Sequence, residues 1–225
     1  MMENIFEKSN KIVIKIGSST ITSSDGTIDK GFIENLAKQV KTLMDQGKRV
    51  VLVSSGARIA GVSTIGKWSR KEDINYKQAL CAIGQVELMD SYRKIFNEYD
   101  IHIAQILLTR EDFESEARTL NIRNTLFTLL DEGVLPIINE NDTVCVEEIK
   151  IGDNDVLAAK ATALWGGHLL ILLSDIEGIY DKNPVCNSDA RLIEVVADPE
   201  ELEKNISIGE KSSFGTGGIA TKIKA

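Results

Sequence analysis

A chain of 225 residues, of which 43% are hydrophobic and 27% charged, has the composition of a soluble globular protein with one sizeable core. Its formal net charge of −8 argues against a nucleic-acid partner, because nucleic-acid-binding proteins usually carry a basic face. No aliphatic run approaches the roughly 20 residues needed to cross a bilayer, and residues 1–10 contain no export signal. The three cysteines form no CxxC pair. We therefore expect a cytoplasmic protein with reduced thiols.

The first half of the chain alternates aliphatic runs with helical patterns. Residues 11–16 predict a buried strand, residues 29–46 an amphipathic helix ended by Gly47, and residues 49–53 a second strand. Residues 59–74 contain glycines and a charged tract, and they predict an irregular segment, either a mobile flap over a site or a solvated surface.

The second half continues the alternation. The predicted elements are a helix at 76–99, a strand at 102–108, a helix at 121–131, a strand at 134–138, a hairpin at 143–151, a helix capped by Asp153 or Asn154 and running to 165, a strand at 169–173, a helix at 198–204 and a glycine-rich loop at 212–218. This order predicts an α/β fold, a three-layer α/β/α sandwich with a mostly parallel central sheet.

We expect residues 1–225 to form a single domain, since no internal repeat or low-complexity linker divides them. Residues 219–225 begin like a helix and stop early, so we expect either that the natural protein continues or that the chain was shortened.

Short polar or glycine-rich stretches follow the predicted strands. Parallel strands present their carboxyl ends at one edge of the sheet, and ligands of open α/β sheets bind there. The stretches therefore predict one composite site for a nucleotide and a small anionic substrate; they are residues 15–19, 54–57, 139–142, 174–175 and 216–222.

Phosphate binding here would need a device other than a P-loop or a GxGxxG turn, since the sequence has neither. Lys15 beside Gly17 places a mobile cation next to open backbone donors, which suits a phosphoryl oxygen, although a surface lysine at a strand end explains it equally well. Residues 54–57 have little side-chain bulk and could bind a carboxylate or phosphate through hydroxyl and N–H groups, or form a plain strand-to-helix turn.

Residues 139–142 and 152–155 are rich in amides and carboxylates, which can hold an ammonium group, accept hydrogen bonds from lysines or contact a metal through water; caps and Asx turns are the alternative. Residues 216–222 join a loop to the start of a helix, where Gly217 and Gly218 let backbone N–H groups approach a polyphosphate and Lys222 reaches the same phosphates. Ser174, Asp175 and Tyr180 would then line the ribose or base of a nucleotide.

Taken together and in this order, the stretches resemble the amino acid kinase family over nearly the whole chain. KIGSS at 15–19 and TGGIATK at 216–222 are similar to motifs found across the family. SSGA at 54–57, KQALCAIGQ at 77–85, INENDTV at 138–144 and IGDND at 151–155 resemble the branch that phosphorylates the γ-carboxylate of L-glutamate with MgATP, the first step of proline biosynthesis.

The resemblance implies a role for each matching residue. Lys15 and Lys222 would stabilise the transferring phosphoryl group, and Asp155 would orient both lysines. Glutamate would be held by Ser55, Gly56, Ala57, Asp142 and Asn154. ATP would be bound by Lys15, Gly17, Ser174, Asp175, Tyr180, Thr216, Gly217, Gly218, Ile219, Ala220, Thr221 and Lys222, with Mg²⁺ carried by ATP and no direct protein ligands.

The resemblance also implies a homo-oligomer and proline as a candidate inhibitor, neither of which the residues fix. Because no aliphatic run is long enough to cross a bilayer, we expect no membrane partner. The sequence departs from the family pattern at Arg58, where an aliphatic residue is usual, and at residues 181–185, where Asp-Pro-Arg is more frequent. The chain is also too short for the RNA-modification-type accessory domain of many bacterial members. The alternatives are a family member acting on N-acetylglutamate, aspartate or a nucleoside monophosphate, and a non-catalytic nucleotide or amino-acid sensor.

Overall fold

The computed structural model describes residues 2–66, 69–70, 72–145, 154–182, 184, 187–198 and 202. The strands are β1 (Lys11–Ile16), β2 (Arg49–Ser54), β3 (Ile103–Leu108), β4 (Leu135–Glu140) and β5 (Leu169–Leu173). The helices are α1 (Met2–Lys8), α2 (Ser18–Ile21), α3 (Lys30–Asp45), α4 (Ala57–Ile65), α5 (Ile74–Asn97), α6 (Glu116–Asp131) and α7 (Asp155–Trp165), with a 3-10 turn at Arg110–Phe113.

The five strands form one sheet in the order β3-β4-β2-β1-β5, and every strand pair is parallel. One face of the sheet packs against α3 and α5, for example through Val40 and Phe96. The other face packs against α6 and α7, for example through Leu126 and Trp165. Helices therefore cover both faces, and the predicted three-layer α/β/α sandwich with a parallel sheet is confirmed.

The predicted strands at 11–16 and 169–173 coincide with β1 and β5, and the other strands agree to within two residues. Gly47 has the predicted positive φ, +77°, directly beyond α3. Helix α6 begins earlier than predicted, because Ser115 accepts a hydrogen bond from the N–H of Arg118 and caps it there.

The prediction of an irregular segment at 59–74 is wrong for its first half, which belongs to α4. Gly61 reads as a helix breaker in sequence, but a Cβ there would lie 1.9 Å from the carbonyl oxygen of Leu80 in α5. The glycine thus serves a close contact between two helices, and α4 continues through it.

The hairpin predicted at 143–151 and the helix at 198–204 lie largely outside the described residues, as does the loop at 212–218. Residues 142–144 form a turn. Of the described helices, none combines the length and the apolar character that a membrane span requires.

Candidate active site

The polar stretches after β1, β2, β4 and β5 meet at one edge of the sheet. Ile16 is in register with Ser54 on one side and with Leu173 on the other. The N–H of Ser55 donates to the carbonyl of Ile16 at 3.0 Å, and the N–H of Gly17 donates to that of Leu173 at 3.3 Å. These contacts gather the stretches around the carboxyl end of β1, where α/β sheets bind ligands.

A buried ion pair lies at the centre of this edge. Lys15 shares the face of β1 that carries Val13, which packs against α7, and Asp155 is the first residue of α7. Lys15 Nζ lies 2.5 Å from Asp155 Oδ1, and the two side chains are only 6% and 0% exposed. The carboxylate therefore fixes the position of the ammonium group at the carboxyl end of β1.

Gly17 lies beside this ammonium group. A Cβ at Gly17 would lie 3.9 Å from Lys15 Nζ and 3.4 Å from the carbonyl oxygen of Leu173. The absence of a side chain keeps this flank of the lysine accessible to an anion such as a phosphoryl group.

A network of buried amides joins β2, β4, α5 and the start of α7. Asn154 Nδ2 donates to the carbonyl of Ser54 and to Asn139 Oδ1, both at 2.8 Å, while Asn139 Nδ2 donates to Gln85 Oε1 at 2.8 Å. Both hydrogens of the Asn154 amide are thus used, and its Oδ1 atom is an acceptor that these two bonds do not engage.

This result corrects the prediction that Asn154 caps the following helix through its side chain. Asn154 occupies the N-cap position, but its side chain forms no capping hydrogen bond. The amide instead bonds to Ser54 and Asn139, which are adjacent only in the folded chain. Asp153, the other predicted cap, lies outside the described residues.

Helix α5 holds the segment that follows β4 at three successive points. Gln85 accepts from Asn139, the thiol of Cys81 contacts the Asp142 carboxylate, and Gln78 Nε2 donates to the carbonyl of Thr143 at 3.3 Å. The three α5 residues, Gln85, Cys81 and Gln78, are spaced by about one helical turn, and in that order they contact positions progressively later in residues 139–143. The half-buried Asp142 is therefore positioned by a rigid helix.

The Cys81 thiol stays neutral in this setting. Burial raises the pKa of Cys81 well above its ordinary value, and the neighbouring Asp142 carboxylate adds to the rise, whereas the charge of Arg58 opposes it. A neutral thiol can donate to Asp142, so Cys81 supports the carboxylate.

The turn between β2 and α4 requires glycine. Gly56 has φ +102°, and a Cβ there would lie 2.8 Å from Cγ2 of Ile21. Gly56 caps α4 without a side-chain hydrogen bond, so the first N–H groups of the helix remain available to a carboxylate. Ser55 and Ala57 flank this turn and are both buried.

The remaining predicted ligands follow β5 or lie outside the described residues. Ser174, directly after β5, is half-buried and donates to the exposed Asp175 at 3.3 Å. Tyr180 pairs with Leu192 in an antiparallel bridge, and its hydroxyl donates to Glu177 at 3.2 Å. The residues outside the described part are Thr216, Gly217, Gly218, Ile219, Ala220, Thr221 and Lys222. Across the described ranges, no cluster of three or more His, Cys, Asp or Glu side chains could hold a metal ion.

Sequence reasoning missed the supporting roles of Gln85 and Tyr92. Tyr92 is fully buried, and its hydroxyl lies 3.0 Å from the Ser54 hydroxyl. The sequence did contain a signal for Gln85, because its spacing places it on the same apolar face of α5 as Leu88 and Tyr92. A polar residue at a buried helical position needs a partner, and here Asn139 provides it.

Comparison with known sequences places the chain among kinases. The profile of the amino acid kinase family matches residues 10–225. A relative from Alkaliphilus metalliredigens, named glutamate 5-kinase, is 64% identical over 225 residues, which are 100% of this chain and 85% of the relative. A relative of the same name from Clostridium acetobutylicum is 48% identical over 223 residues, or 99% of this chain and 84% of the relative.

The fold is also similar to a solved structure. UMP kinase from Ureaplasma parvum superposes with a TM-score of 0.63 over 88% of this chain and 80% of its own, at 18% identity. Identity this low supports a shared fold and carries no information on the substrate.

Proposed function

This chain belongs to the amino acid kinase family, and we propose that it phosphorylates the γ-carboxylate of L-glutamate with ATP to give L-glutamyl 5-phosphate. This is the activity of a glutamate 5-kinase, which opens the route to proline. The observation that carries the proposal is the identity of 64%, over the whole of this chain, to a relative of that name. The arrangement of side chains at the carboxyl edge of the sheet supports a mechanism for this reaction.

The transfer itself requires positioning and charge neutralisation. A γ-carboxylate oxygen forms a bond to the γ-phosphorus of ATP while the bond from that phosphorus to the β–γ bridging oxygen breaks, and the electron pair leaves on ADP. A glutamate side chain has a pKa of about 4.3, so the nucleophile is already ionised at neutral pH and needs no general base. The protein has to align the reactants and neutralise the charge of the transferring group.

We assign that task to Lys15, held by Asp155, and to Lys222. The buried ion pair fixes the Lys15 ammonium in advance, so little reorganisation is needed when the phosphoryl group arrives. Lys222 lies outside the described residues, and its assignment as the second cation rests on the family motif at 216–222.

We assign glutamate to the surface formed by the β2–α4 turn, Asp142 and Asn154. The open N–H groups beside Gly56 and Ala57, together with the Ser55 hydroxyl, suit a carboxylate. The Asp142 carboxylate and the Asn154 Oδ1 atom are acceptors, which suit the α-ammonium group.

Membership in the family implies ATP as a substrate. We propose that Gly17, Ser174, Asp175, Tyr180 and residues 216–222 bind it. Mg²⁺ would enter bound to the ATP phosphates, where it would neutralise part of their charge.

The match over residues 10–225 supports one amino acid kinase domain. We further propose a cytoplasmic homo-oligomer that proline inhibits and that binds no nucleic acid or membrane. The free thiol of the buried Cys81 agrees with a reducing compartment. Light scattering and a proline titration of the activity test the oligomer and the inhibitor.

A substrate panel tests the proposed reaction. ADP release is followed with MgATP and L-glutamate, N-acetyl-L-glutamate, L-aspartate or UMP, and the acyl phosphate is trapped with hydroxylamine. We expect glutamate-dependent ADP release with an equal amount of γ-glutamyl hydroxamate. Turnover of another panel member in preference to glutamate would reassign the substrate, and binding of ATP and glutamate without product would indicate a sensor.

A further inference from the structure

Arg58 brings a guanidinium group to the start of α4, next to the candidate glutamate site. It lies in the first turn of α4, two residues beyond Gly56, and its side chain is half-buried. Its Nε atom is shielded from solvent and has no hydrogen-bond partner among the described residues. Ion pairs between described residues are formed by other arginines, for example Arg49, Arg70, Arg93, Arg110 and Arg118.

A buried guanidinium donor without an acceptor is costly, and such donors are rare in folded proteins. A carboxylate is the acceptor that a guanidinium binds best, because two parallel N–H groups match its two oxygens. A carboxylate bound beside Arg58 would supply the acceptor that its Nε atom lacks.

The position of Arg58 relative to α5 indicates where this anion would lie. A Cβ at Gly84 of α5 would be 1.7 Å from the carbonyl oxygen of Ala57, so the two helices touch backbone to backbone beside Arg58. The charges of Arg58 and Asp142 act in opposite directions on the Cys81 thiol, three residues before Gly84. A cation from α4 and an anion from the segment after β4 thus lie around the same point of α5.

We propose that Arg58 binds the α-carboxylate of the amino-acid substrate. This inference rests on the proposed function, in which Asp142 takes the α-ammonium group. An α-amino acid carries a positive and a negative group on the same carbon, and Asp142 and Arg58 present the two complementary charges. With the α-carbon held at this end, the side chain of glutamate can extend toward Lys15. Arg58 is then a residue that selects substrates with a free α-carboxylate.

The L-glutamate α-amide isolates this contact. It keeps the γ-carboxylate and the α-ammonium group but has a neutral carboxamide in place of the α-carboxylate. In Arg58→Leu we expect kcat/KM for glutamate to fall about 10- to 100-fold, mainly through KM, as for loss of a charge-assisted bond. For the α-amide we expect a change of less than about threefold, because that substrate never made the bond. Arg58→Lys, which keeps the charge, should retain part of the preference for glutamate.

Arg70→Leu is the matched control, because it removes an equal charge from an arginine that is 65% exposed. The Arg70→Leu variant should prefer glutamate over the α-amide by the same factor as the wild type. If Arg58→Leu loses as much activity on the α-amide as on glutamate, Arg58 is structural and the inference fails. A rise in the KM for ATP alone would place the guanidinium at the phosphates and also overturn it.

Two further outcomes are decided in advance. If thermal unfolding finds Arg58→Leu unfolded, Arg58→Lys and Arg58→Gln carry the test, and an unchanged preference in Arg58→Gln contradicts the inference. If the wild type turns over neither glutamate nor the α-amide, the proposed function fails. If glutamate is turned over but the preference for glutamate over the α-amide does not depend on Arg58, the inference about Arg58 fails and the proposed function stands.

Discussion

Lys15 Nζ lies 2.5 Å from Asp155 Oδ1, although the two residues are far apart in the chain and both side chains are almost fully buried. A buried ion pair contributes little net stability, because desolvation of two charges offsets their attraction, but removal of one partner is costly. The pair lies at the carboxyl edge of the sheet, where α/β proteins bind ligands, and this position points to a role in chemistry.

We expect Asp155→Asn to lower kcat about 100- to 1000-fold, with KM values for ATP and glutamate within about threefold of the wild type. The amide keeps the shape of the carboxylate but no longer fixes the lysine through charge. Steady-state kinetics measures the effect. Asp131→Asn is the control, since Asp131 pairs with Arg49 on the surface and is 59% exposed. An Asp155→Asn enzyme with unchanged kcat would refute the role of Asp155.

Stability and activity should separate when the pair is replaced by apolar residues. Asp155→Leu alone should lower the free energy of unfolding by about 3–5 kcal/mol, because it leaves the Lys15 charge buried without this partner. The double variant Lys15→Met/Asp155→Leu should recover most of that loss and yet remain inactive. Urea unfolding and ADP release give the two readouts. Failure of the double variant to regain stability would contradict this description of the pair.

Gly84→Ala should destabilise the protein by about 3 kcal/mol, because its methyl group would lie 1.7 Å from the carbonyl oxygen of Ala57 and one of the helices must shift. The shift moves the β2–α4 turn, so the KM for glutamate should rise about 10-fold. Gly31→Ala in α3 is the control, since its nearest contact is at 3.3 Å and alanine favours a helix. Equal effects of the two substitutions on KM would be inconsistent with a role for the helix contact.

The amide network should support the glutamate site through Asn139. In Gln85→Leu the Asn139 amide loses its acceptor, which should cost about 1–3 kcal/mol and raise the KM for glutamate about 10-fold through displacement of Asn154. Tyr92→Phe should cost about 1 kcal/mol and leave KM unchanged, because the Ser54 hydroxyl keeps its bond to the carbonyl of Ser55. Calorimetry measures the glutamate affinity of both variants. Equal affinities would exclude an effect of Gln85 on the glutamate site through Asn139 and Asn154.

The sheet was predictable from sequence, whereas much of the side-chain geometry was not. Buried parallel strands are continuous aliphatic runs, so β1 and β5 could be located to the residue. Helix α4 was missed because the reason for Gly61 is a neighbour that is remote in sequence. Asp153 or Asn154 was expected to cap α7. Asn154 occupies the N-cap position, but its Nδ2 bonds to β2 and β4 hold the amide in an orientation in which its oxygen makes no capping bond.

The candidate site was predictable as a location and less so as a set of contacts. Polar stretches at strand ends indicated the edge of the sheet that carries Lys15 and Asn139. The pairing of Lys15 with Asp155 followed only from the family resemblance, because alternation along β1 gives the face of Lys15 but not the residue that meets it there. Gln85 and Cys81 became relevant once α5 was seen to hold residues 139–143.

Transfer of ¹⁸O from glutamate to phosphate tests the central claim most directly. Glutamate labelled with ¹⁸O in both γ-carboxylate oxygens is incubated with MgATP, the protein and hydroxylamine. Hydroxylamine attacks the acyl carbon of the product, so the C–O bond breaks and the phosphate leaves with the bridging oxygen, and that phosphate is examined by mass spectrometry. If the γ-carboxylate attacks ATP, each phosphate released should carry one ¹⁸O atom, and Lys15→Met or Lys222→Ala should suppress its formation. Unlabelled phosphate released at the full rate would mean that water is the acceptor, which would contradict the proposed reaction.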